Sequence, residues 1–210
     1  MYKRQLKHYI KTLTERAERL RSRHIDPSVD NMLKITGDGR KAALDMRLVD
    51  PYAEPAPDTK ISRAAYRIAA KWRDTRDLRL TQLVFCDLST PNPNQFNAYD
   101  ELRLRLIASG IPEREIAFIH DAESDAEKMK LFTDVNAGRV RILIGSTEKM
   151  GAGTNVQKRL AALHHLDAPW RPRDIEQREG RILRQGNTNG EVEIQMCIRD
   201  SCCGLVHRTR

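Results

Sequence analysis

Gln177, Arg181 and Arg184 lie four and three residues apart in the stretch Gln-Arg-Glu-Gly-Arg-Ile-Leu-Arg-Gln-Gly-Asn, residues 177–187. At about 100° per residue a helix would gather all three inside an arc of about 60°. One carboxamide and two guanidinium groups held on one face suit a phosphate chain, whose oxygens accept the paired N–H donors of arginine. Ile175 and Ile182 fall on nearly the opposite side, so an apolar stripe would bury there and hold the arginines outward. Gly180 beside the trio adds no side chain and leaves room for a ligand or partner to approach the backbone. Taken alone, the same spacing also describes a solvated helix face. The neighbouring text has to decide between the two.

That text is Gly-Ser-Thr-Glu-Lys-Met-Gly-Ala-Gly-Thr-Asn-Val-Gln, residues 145–157, which follows an apolar run. Leu-Asp-Ala-Pro-Trp-Arg-Pro, residues 166–172, then leads into the arginine segment. Together these segments resemble motifs V and VI of superfamily 2 helicases, in particular the Snf-type DNA translocases. The usual text there is a Gly-x-Gly-x-Asn loop, a Pro-Trp-x-Pro stretch and Gln-x-x-Gly-Arg-x-x-Arg-x-Gly-Gln. Asn187 stands where Gln is commoner and Thr154 where Leu is usual; neither departure touches an arginine.

The resemblance covers residues 80–190 and implies the RecA-like second lobe of a two-lobe motor. Arg181 and Arg184 would then be the catalytic arginines, neutralising charge on a transferring phosphoryl group. Gln177, Gly151, Gly153 and Asn155 would meet ATP and couple its cleft to DNA. Ser89 and Thr90 at the motif IV position, with Ser146 and Thr147, would face the nucleic-acid backbone, although Ser-Thr-Pro also simply starts a turn. The implied cofactors are ATP and Mg²⁺, and the implied partners are DNA, expected as duplex, and a first lobe of the same protein. No Gly-x-x-x-x-Gly-Lys-Ser/Thr loop and no Asp-Glu-x-His sequence occurs in the chain. Those elements are therefore expected on a lobe beyond these residues, and the isolated chain is expected to be inactive. Text at 38–49 and 81–91 is also similar to large phage and plasmid helicases, some fused to DNA methyltransferases. The alternative function is a non-catalytic helicase-like module that binds nucleic acid or a protein partner.

The elements that must position these residues alternate between helical and strand patterns from residue 60 onward, the signature of a parallel α/β sheet flanked by helices. Ile61, Ala64, Ile68 and Trp72 make a helical stripe. Strands are predicted at 81–86, 116–119, 140–144, 161–166 and 191–195, and helices at 95–109 and 125–136, before the arginine segment. Ligands of such sheets bind at the carboxyl ends of the strands, where residues 87–94, 146–155 and 167–170 fall. Trp170 reads as core or lobe packing, and His164 and His165 as one buried and one facing a helix. Before residue 60, a basic helical stretch at 6–24 carries Leu6, Ile10, Leu13, Ala17 and Leu20. A short extended segment ending in a turn at Gly37-Asp38-Gly39 and a helix at 41–49 follow, and 50–58, with three prolines, is the likeliest linker. Residues 6–59 are accordingly assigned as a connector and 60–195 as the lobe.

Both ends require separate treatment. Residues 1–5 and 196–201 can be read, in different frames, from a transposon-end adapter used in sequencing libraries, so 1–5 and 196–210 are excluded from fold reasoning. Of four cysteines, only Cys86 then remains inside the lobe. In its apolar run it reads as a small buried hydrophobe of a reducing compartment; a Cys-Cys site with His207 is the metal-binding alternative. The net charge of +8 suggests nucleic acid, but residues 1–24 hold eight basic groups against two acidic ones, while 25–201 carry 27 of each sign. A binding surface on the lobe must therefore arise from local arrangement. No apolar run is long enough to span a membrane and no secretory signal is present, so a cytoplasmic protein is expected.

Overall fold

The computed structural model describes residues 2–22, 26, 28–150, 154–183, 185–197 and 202–208. It divides into two compact units, Met1–Lys60 and Ile61–Arg210.

The first unit holds α1 (Tyr2–Arg21) and α2 (Met32–Leu44), and before α2 the Asp26 carbonyl accepts the Val29 and Asp30 N–H groups at 2.9 and 3.2 Å. Leu6 packs with Ala42 and Met46, supported by Tyr9. Ile10, on the predicted helical stripe, is 43 % exposed. The predicted extended segment and turn at 32–39 is helical, and three contacts explain why. Asn31 caps α2 by accepting from the Lys34 N–H at 2.9 Å. Asp38 receives Arg16 at 2.8 Å, and Gly39 faces the Leu13 side chain so closely that a Cβ there would stand 3.3 Å from it. The glycines that read as turn signals thus sit within a helix, and one of them gives α1 a close approach. Arg16 also reaches Asp30 at 2.8 and 2.9 Å.

The second unit is a parallel five-stranded sheet flanked by helices. After α3 (Lys60–Asp74) come β1 (Thr81–Phe85), α4 (Ala98–Ala108), β2 (Ile116–Phe118), α5 (Asp125–Asn136), β3 (Ile142–Gly145), β4 (Leu160–His165), α6 (Pro172–Glu179) and β5 (Glu191–Cys197). The spatial order is β2-β3-β1-β4-β5, all parallel, and β6 (Cys202–Arg208) adds antiparallel to the outer edge of β5. β1, β3 and β4 are buried along their whole length, as strands covered on both faces require. Leu83, Phe85, Leu143, Leu160, Leu163, Ile182 and Ile194 belong to the core. Among the described residues no helix is long and apolar enough to cross a membrane.

Polar contacts fix the helices against this sheet. Buried Gln82 of β1 donates through Nε2 to the Ile68 carbonyl of α3 at 3.0 Å, and its Oε1 accepts from His164 Nε2 of β4 at 2.8 Å. Arg141 is buried and donates to the Leu80 and Trp72 carbonyls at 3.0 and 2.8 Å; its desolvation lowers its pKa to about 10. α5 begins with a complete capping box, Ser124 with Glu127. Trp170 is 61 % exposed and so lies outside the core of this unit.

Candidate functional site

The loops leaving β1, β2 and β3 meet the start of α6 around an open depression of about 740 Å³, lined by Asp87, Thr90, Pro91, His120, Ser146, Thr147, Glu148, Lys149, Asp174 and Gln177. Thr90, Lys149 and Gln177 are exposed in it and Ser146 is buried. Parallel strands deliver these loops to one edge because every β-to-α turn of such a sheet emerges at the same end.

Beneath the depression lies Arg178, fully buried on α6. Its Nε donates to Thr147 Oγ1 at 2.7 Å. Nη1 donates to the Asp167 carbonyl at 3.0 Å and lies 3.3 Å from His165 Nδ1. Nη2 donates to Asp87 Oδ2 at 2.6 Å and to Asp167 Oδ1 at 3.0 Å. These contacts engage all five N–H donors of the guanidinium, which also stacks 5.2 Å over the Phe85 ring. Asp167 Oδ2 accepts the Asp87 and Leu88 N–H groups at 2.5 and 2.7 Å, and Asp87 accepts both the N–H and the hydroxyl of Thr147, at 2.6 and 2.7 Å. One arginine therefore ties the carboxyl ends of β1, β3 and β4 to α6.

The electrostatics follow from burial. Desolvation works against the charge of Asp87, but the Thr147 N–H and hydroxyl and the Arg178 guanidinium outweigh it and hold the carboxyl below its usual range. His165 is driven down to about 3 by burial first and by Arg178 next, so its ring is neutral, and with Nδ1 accepting from Arg178 the proton resides on Nε2. Burial likewise takes His164 to about 4. Both histidines are buried, facing Gln82 on one side of β4 and Arg178 on the other, as strand alternation dictates. Cys86 is a buried free thiol whose pKa is raised by burial.

The residues singled out from sequence do not form one cluster. Thr90, Ser146, Thr147 and Gln177 share the depression. Ser89 is buried, and its hydroxyl accepts the Ala98 N–H at 2.8 Å. Asn155 lies elsewhere: its carbonyl accepts from Asn136 at 2.6 Å, and it lines a second depression of about 490 Å³ with Asn136, Gln157, Lys158, Gly186 and Thr188, next to the start of β4. The expected single helix for Gln177, Arg181 and Arg184 stops at Glu179. Gly180 closes it with its N–H on the Glu176 carbonyl at 2.8 Å, and Arg181 continues in a turn bonded to the Arg178 carbonyl at 3.1 Å. Ile182 is buried and Arg181 half-buried. Gly151, Gly153 and Arg184 lie outside the described residues. Sequence reasoning missed Arg178, Asp87 and His120. A signal for Arg178 was present: it falls within about 60° of the Ile175–Ile182 stripe, and an arginine on a buried stripe needs buried partners.

A parallel sheet with its site at the strand carboxyl ends defines a broad α/β class, and comparison narrows it. Residues 83–186 match the family of helicase conserved C-terminal domains. Over 65 residues, 31 % of this chain, the sequence is 35 % identical to the defense against restriction protein B of Escherichia phage P1, and the match spans 3 % of that protein. The C-terminal part of the Fun30 ATPase domain superposes with a TM-score of 0.47 at 19 % identity, covering 68 % of this chain and 43 % of that one. The Pyrococcus furiosus Hef helicase domain gives 0.41 at 15 %, over 62 % and 24 %. The DUF1998 helicase MrfA bound to DNA gives 0.42 at 11 %, over 56 % and 16 %. The chain spans less than half of each of these proteins.

Proposed function

We propose that residues 60–195 are the second motor lobe of an ATP-dependent DNA helicase or translocase of the Snf type, within the group of large phage and plasmid helicases. The observation that carries this reading is the Pro-Trp-x-Pro and Gln-x-x-Gly-Arg-x-x-Arg text inside the span that matches helicase C-terminal domains. Arg181 and Arg184 neutralise charge on the phosphoryl group of ATP held by a first lobe, an effect worth about 10³ to 10⁵ in rate where such arginines are inserted. Gln177 orients beside them, and Gly151, Gly153 and Asn155 connect the nucleotide cleft to DNA. Thr90, Ser146 and Lys149 offer hydroxyls and a cation to a DNA phosphate, the usual chemistry of backbone positioning. Among the described residues no three His, Cys, Asp or Glu side chains converge as a metal site, and Asp87 and Asp167 are committed to Arg178. In this reading the Mg²⁺ ligands belong to the first lobe.

ATP hydrolysis by the 210-residue chain and by the complete gene product tests the proposal. The chain alone is expected to hydrolyse ATP at the background rate, and the complete protein to turn it over with stimulation by duplex DNA. Robust turnover by the chain alone contradicts the shared-site reading. A complete gene without an upstream phosphate-loop lysine and acidic pair favours the non-catalytic module.

A further inference from the structure

We propose that Arg178 is a positioning residue of this motor: through Asp87 and Thr147 it locks the floor of the depression to α6, so that an anionic occupant there is felt at Gln177 and Arg181. The inference rests on the motor-lobe reading and adds to it the residues that link its two surfaces.

Arg178 holds two carboxylates in different settings. The side chain of Asp167 is 1 % exposed and belongs to the interior, whereas that of Asp87 is 33 % exposed on the wall of the depression. A guanidinium needs one carboxylate for a bidentate pair; here the fork is divided, with Nη2 shared between the interior acid and the one at the surface. Thr147 closes the circuit. Both its donors end on Asp87 while its hydroxyl oxygen accepts from Arg178. A phosphate that draws on the Thr147 N–H or hydroxyl must therefore take that donor from Asp87. The carboxylate is left more dependent on Arg178, whose own carbonyl carries the Arg181 N–H and whose neighbour is Gln177. The path from depression to arginine segment is thus one threonine, one aspartate and one arginine, all in direct contact.

Two simpler roles make different forecasts. If Asp87 is only a negative charge beside a phosphate site, removing it tightens DNA binding and leaves turnover intact. If the cluster only stabilises the fold, restoring charge or shape without the hydroxyl suffices. The test is DNA-stimulated ATP turnover by the complete protein, with duplex affinity measured by fluorescence anisotropy at one fixed salt concentration. Asp87→Asn and Arg178→Lys are expected to lower kcat at least tenfold, with the ATP KM and DNA Kd within threefold of wild type. Thr147→Val should lower kcat alike and, because it removes a hydroxyl offered to the phosphate, weaken DNA binding as well; Thr147→Ser, which keeps the hydroxyl, should recover most of both losses. Wild-type turnover by Asp87→Asn with tighter DNA binding overturns the proposal, as does Thr147→Ser as impaired as Thr147→Val. Should the Arg178 or Asp87 variant melt below the assay temperature, the Thr147 pair, at a partly exposed side chain, decides alone. A wild-type protein with no DNA-stimulated hydrolysis removes the motor reading and this link together, a result distinct from normal stimulation that survives in the variants.

Discussion

At the scale of single residues, the lobe places unusual weight on polar groups in its interior. Arg178 is buried with every donor engaged, so that its charge is offset by two carboxylates and its hydrogen bonds are complete; a buried ion is tolerable only under those conditions. Arg181 and Arg184 were easy to see in the sequence, because their spacing matches a phosphate-binding pattern. Arg178 was harder, since its partners Asp87 and Asp167 are 91 and 11 residues away in the chain and meet it only after the sheet forms. The paired histidines of β4 give a testable consequence. Their folded pKa values, about 4 for His164 and about 3 for His165, lie below the unfolded value of about 6.5, so the unfolded chain binds the extra protons. Stability is therefore full above about pH 6.5 and falls as the pH drops toward 4, by roughly 1 kcal/mol per histidine at pH 5.5. Urea midpoints followed by tryptophan fluorescence report on this, because Trp72 and Trp170 both lie in the second unit. The expected outcome is a clear loss of stability between pH 7.5 and 5.5 that shrinks in the His164→Asn, His165→Asn double variant. An equal loss in both proteins contradicts it.

At the scale of elements, strongly patterned segments were legible and punctuation was not. α5 was readable at both ends because Ser124 and Glu127 cap its start and Gly138 follows its end. α2 was misread because Gly37 and Gly39 are turn formers in isolation, and only the packing of Leu13 and the Arg16–Asp38 pair show why a helix tolerates them. The arginine segment failed in the other direction: periodicity ran on past Gly180, but the helix ends there. β3 ends on a glycine for a reason the sequence hid. A Cβ on Gly145 would stand 2.5 Å from Ile119 Cγ2 and 2.8 Å from Met150 Cγ, so the residue lets the turn after β2 and the loop after β3 close over the strand end. Gly145→Ala is expected to destabilise the lobe by about 1–3 kcal/mol, the range for overpacking a filled core, and to displace the Ser146–Thr147 turn that follows. Urea denaturation of this variant checks the claim, and an unchanged midpoint contradicts it.

At the scale of the whole molecule, the parallel sheet, the strand-end depression and the helicase-type text support the proposal that this lobe supplies half of an active site. The five-strand lobe was visible in the alternation of patterns from residue 60 onward, because doubly covered strands write continuous apolar runs into a sequence. How the candidate residues divide between two depressions was not visible, since residues 146–150 follow the carboxyl end of β3 whereas Asn155 lies near the start of β4. The lobe is proposed to lend arginines to ATP held elsewhere. The most direct measurement is steady-state ATP turnover, alongside ATP affinity, in the complete protein bearing Arg184→Ala. The expected result is a fall in kcat of about 10³-fold or more while ATP affinity changes by less than about tenfold, the pattern of an interaction made mainly in the transition state. Turnover within twofold of wild type would contradict it.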